Sequence, residues 1–290
     1  MQDPLESGNT LQPSLDRFVS RPDMTKARPF LKWAGGKSRL LPEILNLVPK
    51  TYERYIEPFL GGAALFFELN SSKAILSDAN RELIICYKVV RDNPEELLQL
   101  LRSMSTTRKT FYEIRRLRPE KLTKIQRAAR LIYLNKTCYN GVYRVNRKGE
   151  FNTPYGKYRK VRFDEQNIRI VSQALRKAEL IAGDFEPILL KSAEQGDFVY
   201  LDPPYPPLGG YSDFKRYVKD FFEVKDHVRL AKVIYELDRR SCKFVLSNAK
   251  HPLVLQLYSR FTIKEVKAPR FVSCRGDRRG NVPELLIANA

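Results

Sequence analysis

Apolar and polar residues change period along this chain, and each change predicts an element. From Arg39 to Leu47 (RLLPEILNL) apolar positions recur at helical spacing, with a proline near the start. Arg54–Ile56 runs into EPFLGG, the pattern of a strand closing on a glycine turn, and Ala64 to Leu69 begins a helix. Ala74 to Leu76 is a second short strand that ends at Asp78. Strand, turn, helix and strand in that order mark a doubly wound sheet. From Glu82 to Arg130 the period is helical, through Leu83, Ile84, Tyr87 and Val90 and then Leu97, Leu98 and Leu101. Residues 83–165 read as mostly helical and then loop-rich, without strong strands. Strand patterns return at Glu179–Ile181, Phe198–Leu201, Lys243–Ser247, Phe261–Val266 and Leu285–Ala288. The whole predicts one α/β sheet interrupted by a helical insertion. Residues 1–28, rich in Pro, Ser, Asp and Asn, read as a flexible N-terminal extension.

Charge changes this picture most. The 290 residues carry a formal charge of +19, unevenly spread. Residues 102–162 hold 18 Lys and Arg against three acids (Glu113, Glu120, Glu150), a net of +15. A basic insertion on a sheet domain points to a polyanion partner, most often nucleic acid. No apolar run reaches membrane-spanning length, and the first ten residues do not read as a secretory leader, so a cytoplasmic protein without a membrane partner is expected. The cysteines (Cys86, Cys138, Cys242, Cys274) show no C-x-x-C spacing, and the only histidines are His227 and His251. No metal site is expected.

Three constellations carry chemistry. In EPFLGG (Glu57–Gly62) a strand ends on glycines that let a ligand approach the main chain, and Asp78 at the end of the next strand can accept hydrogen bonds from a ribose diol. The GxGxxG pattern is absent, so a nucleoside rather than a pyrophosphate is indicated. Trp33-Ala34-Gly35-Gly36-Lys37-Ser38 ends like a phosphate-binding loop, but Leu31 stands where its first glycine belongs. A tight loop presenting an exposed Trp33 and Lys37 to a carboxylate-bearing ligand fits better. The third, Asp202-Pro203-Pro204-Tyr205, ends the apolar strand Phe198–Leu201. Two prolines supply no N–H donors, so carbonyls are left as acceptors. Asp202 and the Pro203 carbonyl can both accept from one amino group, with the Tyr205 ring against a planar heterocycle. Two such acceptors free an amine lone pair for attack on an electrophile.

Taken in order, RPFLKWAGGKSRLLPEI, YIEPFLGG, ILSDAN, LNKTCYNGVYRVNRKGEFNTPYGKY, FVYLDPPYPP and NVPELLIAN resemble the Dam-type DNA (adenine-N6) methyltransferases, from about Arg28 to the C-terminus. The resemblance implies a Rossmann-like S-adenosylmethionine-dependent methyltransferase sheet, formed by residues 29–82 and 166–290, with a mostly helical DNA target-recognition insertion at 83–165. It implies S-adenosylmethionine bound by Trp33, Lys37, Asp78 and Asp202, with Phe59 and Gly61 lining the turn and Asp184 and Phe185 beside the cofactor's adenine. The family's usual F-x-G-x-G departs here, because Ala63 follows Gly62. Asp202, Pro203, Pro204 and Tyr205 take the catalytic positions. In the insertion, Tyr139 and Asn140 match residues that enter the duplex, Val142 stands where Leu is common, Arg144 matches a base-reading arginine, and Pro154 matches a proline that touches a thymine methyl. Lys157 replaces a frequent arginine. Together these imply double-stranded DNA as partner, GATC as target, base flipping as route and a monomer as working unit. Scattered bases such as Arg115, Lys121 and Lys124 are expected at phosphates. The alternatives are an RNA or protein-glutamine methyltransferase with the same chemistry, or a non-catalytic DNA-binding protein on this scaffold.

Overall fold

The computed structural model describes residues 25–146, 148–158, 161–206, 222–269 and 281–289. Cys274 and residues 1–24 of the expected extension lie outside the described residues. The end of that extension is anchored: Lys26 pairs with Glu68 at 2.6 Å, and the Arg28 N–H donates to the Asn167 side chain at 3.0 Å.

Seven strands form one sheet: β1 (Tyr55–Glu57), β2 (Ala74–Asp78), β3 (Ala178–Ala182), β4 (Phe198–Leu201), β5 (Lys243–Ala249), β6 (Thr262–Pro269) and β7 (Asn281–Ala288). Their order is β3-β2-β1-β4-β5-β7-β6. The first five are parallel, and β7 lies antiparallel between β5 and β6. All seven lie where the apolar runs place them. The sheet is therefore mixed α/β and doubly wound, as expected.

Side chains alternate across it because successive strand residues face opposite ways. Tyr55, Leu76, Phe198, Tyr200 and Val245 face one layer, while Ile56, Ile75, Val199, Leu201, Phe244 and Leu246 face the other. Both sets are buried, which explains why these strands read as continuous apolar runs rather than alternating ones. The first layer holds α1 (Leu41–Leu45), α2 (Ala64–Leu69), α3 (Arg81–Asp92), α4 (Pro94–Ser103), α5 (Arg108–Arg116), α6 (Lys124–Thr137) and α7 (Glu165–Leu175). The second holds α8 (Phe185–Ser192), α9 (Val224–Arg239) and α10 (Pro252–Leu257). Side-chain caps set several starts: Asn80 on α3, Asp164 on α7, and Thr123 with Gln126 as a reciprocal capping box on α6.

The helices of the insertion do not form a core of their own. Leu97, Leu98, Phe111, Ile132 and Tyr133 belong to the same buried cluster as Tyr55, Leu76 and Phe198 of the sheet. A boundary at residue 83 cuts α3 near its start, and α3 packs on β2 and β3 as well as on α6. Arg130 is buried inside this cluster, with Nε and Nη2 donating to the Ile114 and Arg115 carbonyls at 3.1 and 2.9 Å. Among the described residues no helix is long and apolar enough to cross a membrane.

One buried group makes stability depend on pH. His227 on α9 is 2% exposed, and neither ring nitrogen has a hydrogen-bond partner among the described residues. Burial lowers its pKa from 6.5 to about 4, with His251 adding to the effect and Asp226 opposing it. The folded state thus binds fewer protons than the unfolded chain between those values, and stability falls as pH drops through that window. At 1.36 kcal/mol per unit, the loss by pH 4 is on the order of 3 kcal/mol. Urea titrations at pH 7 and pH 4.5 should show a steeper acid loss for the wild type than for His227→Leu; equal losses would remove His227 as the cause.

Candidate active site

β1 and β4 are neighbours in the sheet, but their connections leave in opposite directions, β1 to β2 through α2 and β4 to β5 through α9. Adjacent parallel strands that part in this way leave a crevice at their carboxyl ends, where open α/β sheets bind ligands. Glu57 ends β1 there and Asp202 follows the last residue of β4. Sequence thus delivers the glycine turn and the Asp-Pro-Pro-Tyr segment to one place.

The turn is tight. Gly61 has φ +46°, and a Cβ there would stand 2.9 Å from Trp33 Cδ1, so the turn and the Trp33 ring are in close contact. The Gly61 N–H donates to Asp78 Oδ2 at 3.1 Å, the Asn80 N–H donates to Asp78 Oδ1 at 2.8 Å, and the Tyr87 hydroxyl donates to the Gly61 carbonyl at 3.1 Å. Burial raises the Asp78 carboxyl pKa, and the two N–H groups pull against that rise. Ala63, which precedes α2, is also left-handed, at φ 55° and ψ 36°. A side chain there holds a conformation that glycine adopts freely.

On the facing side, Lys37 Nζ sits 2.8 Å from Asp202 Oδ1, donates to the Gly35 carbonyl at 2.7 Å and lies 4.9 Å from the Tyr205 ring centroid. Lys37 is 7% exposed. Burial raises the Asp202 pKa, and Lys37 works against it. The Tyr205 hydroxyl donates to Glu284 Oε2 on β7 at 2.8 Å. Pro203 is buried and Pro204 exposed. Glu57, 3% exposed, accepts from the Tyr55 hydroxyl at 3.0 Å, and burial lifts its pKa well above the carboxylate range. Beside the turn, Phe59, Phe185 and Phe222 form a trio with centroids 5.4–5.9 Å apart. Asp184 is committed elsewhere: it accepts from the Glu186 N–H at 3.0 Å and pairs with Arg229 at 2.7 Å.

The basic insertion contributes a hairpin. Isolated bridges join Cys138 to Tyr155 and Val145 to Phe151, and the Tyr139 N–H donates to the Pro154 carbonyl at 2.8 Å. Tyr139 is 58% exposed, and Asn140, Pro154 and Lys157 are exposed too, while Val142 and Arg144 are half-buried. Arg144 Nε donates to Asn152 Oδ1 at 2.7 Å and Nη2 to the Asn152 carbonyl at 3.4 Å, which turns the other edge of the guanidinium away from the hairpin. Lys121 and Lys124 are exposed as expected. Arg115 is not a free surface charge; its Nη1 donates to the Thr153 carbonyl at 3.3 Å and braces the hairpin. Trp33 likewise departs from expectation. It is half-buried, because its ring stacks on Tyr143 of the hairpin at 5.0 Å and 20°.

The residues of this crevice and hairpin, apart from Glu284, lie within one family-wide pattern. Residues 33–271 match the model of the D12 class of N6 adenine-specific DNA methyltransferases. The chain belongs to this family. A type II methyltransferase of Lactococcus lactis subsp. cremoris, M1.LlaDCHI, is 40% identical over 271 residues, covering 90% of this chain and 95% of the relative. M.MjaIII of Methanocaldococcus jannaschii is 42% identical, covering 91% and 99%. The DNA adenine methylase of Escherichia coli K12 is 33% identical, covering 91% and 95%. The chain is thus an adenine-specific DNA methyltransferase, with DNA as its substrate.

Several residues of this methyltransferase's crevice escaped the sequence. Glu284 and Glu57 were visible only as acids inside apolar strands, a signal of a partnered or functional carboxylate. Tyr143 lay beside Arg144 without a role of its own. Asn135, which bonds Lys32 and Gly141, looked like one polar position in a long helix.

The two left-handed positions of the turn yield opposite expectations. Gly61→Ala forces a side chain into a left-handed residue and into Trp33, and costs about 1–3 kcal/mol. Ala63→Gly relieves strain and gains about 0.5–1 kcal/mol after the entropy of glycine is set against it. Urea denaturation followed by fluorescence checks both, since Trp33 is the only tryptophan. Loss of stability in Ala63→Gly would show that the turn is not strained there.

Proposed function

We propose that this methyltransferase transfers the methyl group of S-adenosylmethionine to N6 of adenine within GATC in double-stranded DNA. The observation that carries this reading is the convergence of Asp202-Pro203-Pro204-Tyr205 and the Gly61 turn at one switch point, with Lys37 bonded to Asp202 and Glu284 bonded to Tyr205.

The residues present fit the cofactor. A close-approach glycine turn with φ +46° beside Asp78 suits a nucleoside, and Trp33 with Asp202 suits a cationic amino-acid portion. Phe59 and Phe185 offer apolar faces for its base. When bound, S-adenosylmethionine supplies an electrophilic methyl group on a sulfonium. Asp202 and the Pro203 carbonyl accept from the target amine and draw its lone pair out of the ring. Lys37, 2.8 Å from Asp202 Oδ1, opposes the rise that burial gives the Asp202 pKa, and Tyr205, fixed by Glu284, faces the flipped adenine. A flipped base is required, because N6 in a duplex is paired and stacked.

Residues 83–165 are proposed as the target-recognition part. Tyr139 and Asn140 enter the duplex, Val142 and Pro154 make apolar contacts, Arg144 grips a guanine edge with two donors, and Lys157 holds the outer part of the site. A monomer acting in the cytoplasm completes the reading.

Long-read sequencing of plasmid from cells that express the chain is expected to show N6-methyladenine at GATC; methylation confined to another motif would overturn the target. Asp202→Ala, which removes one of the two acceptors for the amine, is expected to lower the methylation rate about 10²–10³-fold, with cofactor affinity measured separately. Near-normal turnover would overturn the catalytic assignment.

The hairpin separates base reading from charge. Arg144→Ala should cost about 1–3 kcal/mol on the cognate site and relax discrimination at one base pair, whereas Lys121→Ala should weaken all sequences alike and reduce the salt slope by about one. Methylation kinetics on every single-base variant of the site, at two salt concentrations, distinguish them. An equal loss on every variant from Arg144→Ala would leave Arg144 as an electrostatic contact.

A further inference from the structure

Trp33 and Tyr143 are distant in sequence and belong to different parts of the protein, yet their rings stack at 5.0 Å and 20°. Trp33 lies on the loop that precedes Lys37. Tyr143 lies on the hairpin, one residue before Arg144. The stack is braced from both sides. Asn135 accepts from the Lys32 N–H at 2.9 Å and donates to the Lys32 carbonyl at 2.8 Å and to the Gly141 carbonyl at 2.9 Å, so one amide ties the loop to the foot of the hairpin. Gly141, at φ +68°, has no room for a side chain, because a Cβ would stand 2.5 Å from Lys32 Cδ. On the hairpin, Phe151 meets Tyr143 edge-on at 5.8 Å. On the sheet side, Tyr143 interacts with the Asn80 side chain, two residues beyond Asp78. Trp33 is therefore in contact with both the Gly61 turn and Tyr143.

From this geometry we infer that Tyr143 is a positioning residue for Trp33: the recognition hairpin supplies the wall that holds the cofactor-loop tryptophan against the glycine turn. The inference rests on the proposed placement of S-adenosylmethionine beside Trp33. It makes the cofactor site complete only when the hairpin is in place. Because the same hairpin carries Tyr139 and Arg144, anything that orders it favours both ligands, and binding linkage requires the effect to be reciprocal. A flat aromatic ring is needed at position 143, since an aliphatic side chain fills space without fixing the orientation of the indole.

The test uses the full chain, with S-adenosylhomocysteine as a non-reactive probe and a duplex carrying the methylated site that plasmid sequencing identifies. Affinities for each ligand, alone and in the presence of the other, are measured for wild type, Tyr143→Phe and Tyr143→Leu, with thermal melting as a check of folding. In the wild type, each ligand should tighten the other at least about fivefold. Tyr143→Phe keeps the ring and should keep that factor. Tyr143→Leu should bring it close to one and weaken S-adenosylhomocysteine by about 2–10-fold, the scale of one aromatic pair. Should the leucine variant fail to fold, Tyr143→Met is read in the same way. Absence of coupling in the wild type, or its persistence in the folded leucine or methionine variant, overturns the inference. Trp33→Ala separates the two layers of the argument. Unchanged S-adenosylhomocysteine affinity in Trp33→Ala brings down the cofactor placement and the inference with it. A loss in Trp33→Ala with no change in Tyr143→Leu removes only the positioning role.

Discussion

The parting of two parallel strands governs this molecule. β1 and β4 lie side by side, but one sends its chain toward β2 and the other toward β5, so their connections part in the space beyond their carboxyl ends. Whatever follows those strands must line that space. The residues that do so, a glycine turn with a nearby acid and an acid followed by two prolines and a tyrosine, have few backbone donors and several acceptors. Such a lining suits an amine and a cation. The remaining elements hold it in register: Lys37 from the preceding loop, Glu284 from the antiparallel strand β7, and Glu57 at the end of β1.

The opposite end of the same strands is locked. Arg54, just before β1, donates through Nε and Nη2 to Asp197, just before β4, at 3.0 and 2.7 Å. Asp197 is 1% exposed, so its charge is compensated almost entirely by this fork and by the Glu194 N–H at 2.9 Å. A fixed base and an open mouth follow from the same strand pair. Burial raises the pKa of Glu57 and Asp202 at the mouth, with the Tyr55 hydroxyl and Lys37 working against the rise.

The centre of the sheet was legible because β1, β2, β4 and β5 are buried on both faces and read as apolar runs, whereas β3 and β6 keep exposed positions. The helical stretch was legible from apolar positions such as Leu83, Ile84, Tyr87 and Val90, while its starts are set by caps at Asn80 and Thr123 that the period alone does not mark. The Asp-Pro-Pro-Tyr segment stood out because an acid followed by two prolines is chemically unusual at a strand end. What could not be read was pairing between distant residues. Nothing in the local pattern says that Trp33 meets Tyr143, that Tyr205 meets Glu284, or that Arg115 turns inward to a carbonyl instead of outward to solvent. Composition counted Arg115 and Arg130 as field charges, while packing uses both as struts. The left-handed state of Ala63 was similarly hidden, because alanine gives no warning of it.

The shared core of the insertion and the sheet bears on how such enzymes diversify. Helices α4 to α6 are welded to one face of the catalytic sheet through a continuous apolar cluster, so exchanging them wholesale would open the enzyme's own interior. The hairpin between Cys138 and Tyr155 is different. Its neck is closed by the Cys138–Tyr155 bridge and by N–H to carbonyl bonds from Tyr139 to Pro154 and from Gly156 to Thr137, and Tyr139 and Pro154 are exposed. Changes confined to its exposed positions, Tyr139, Asn140 and Pro154, leave the apolar cluster beneath it untouched. The positions that cannot change so freely are those whose rings reach the scaffold: Tyr143 stacked on Trp33, Phe151 in the shared apolar cluster and Tyr155 against Phe111.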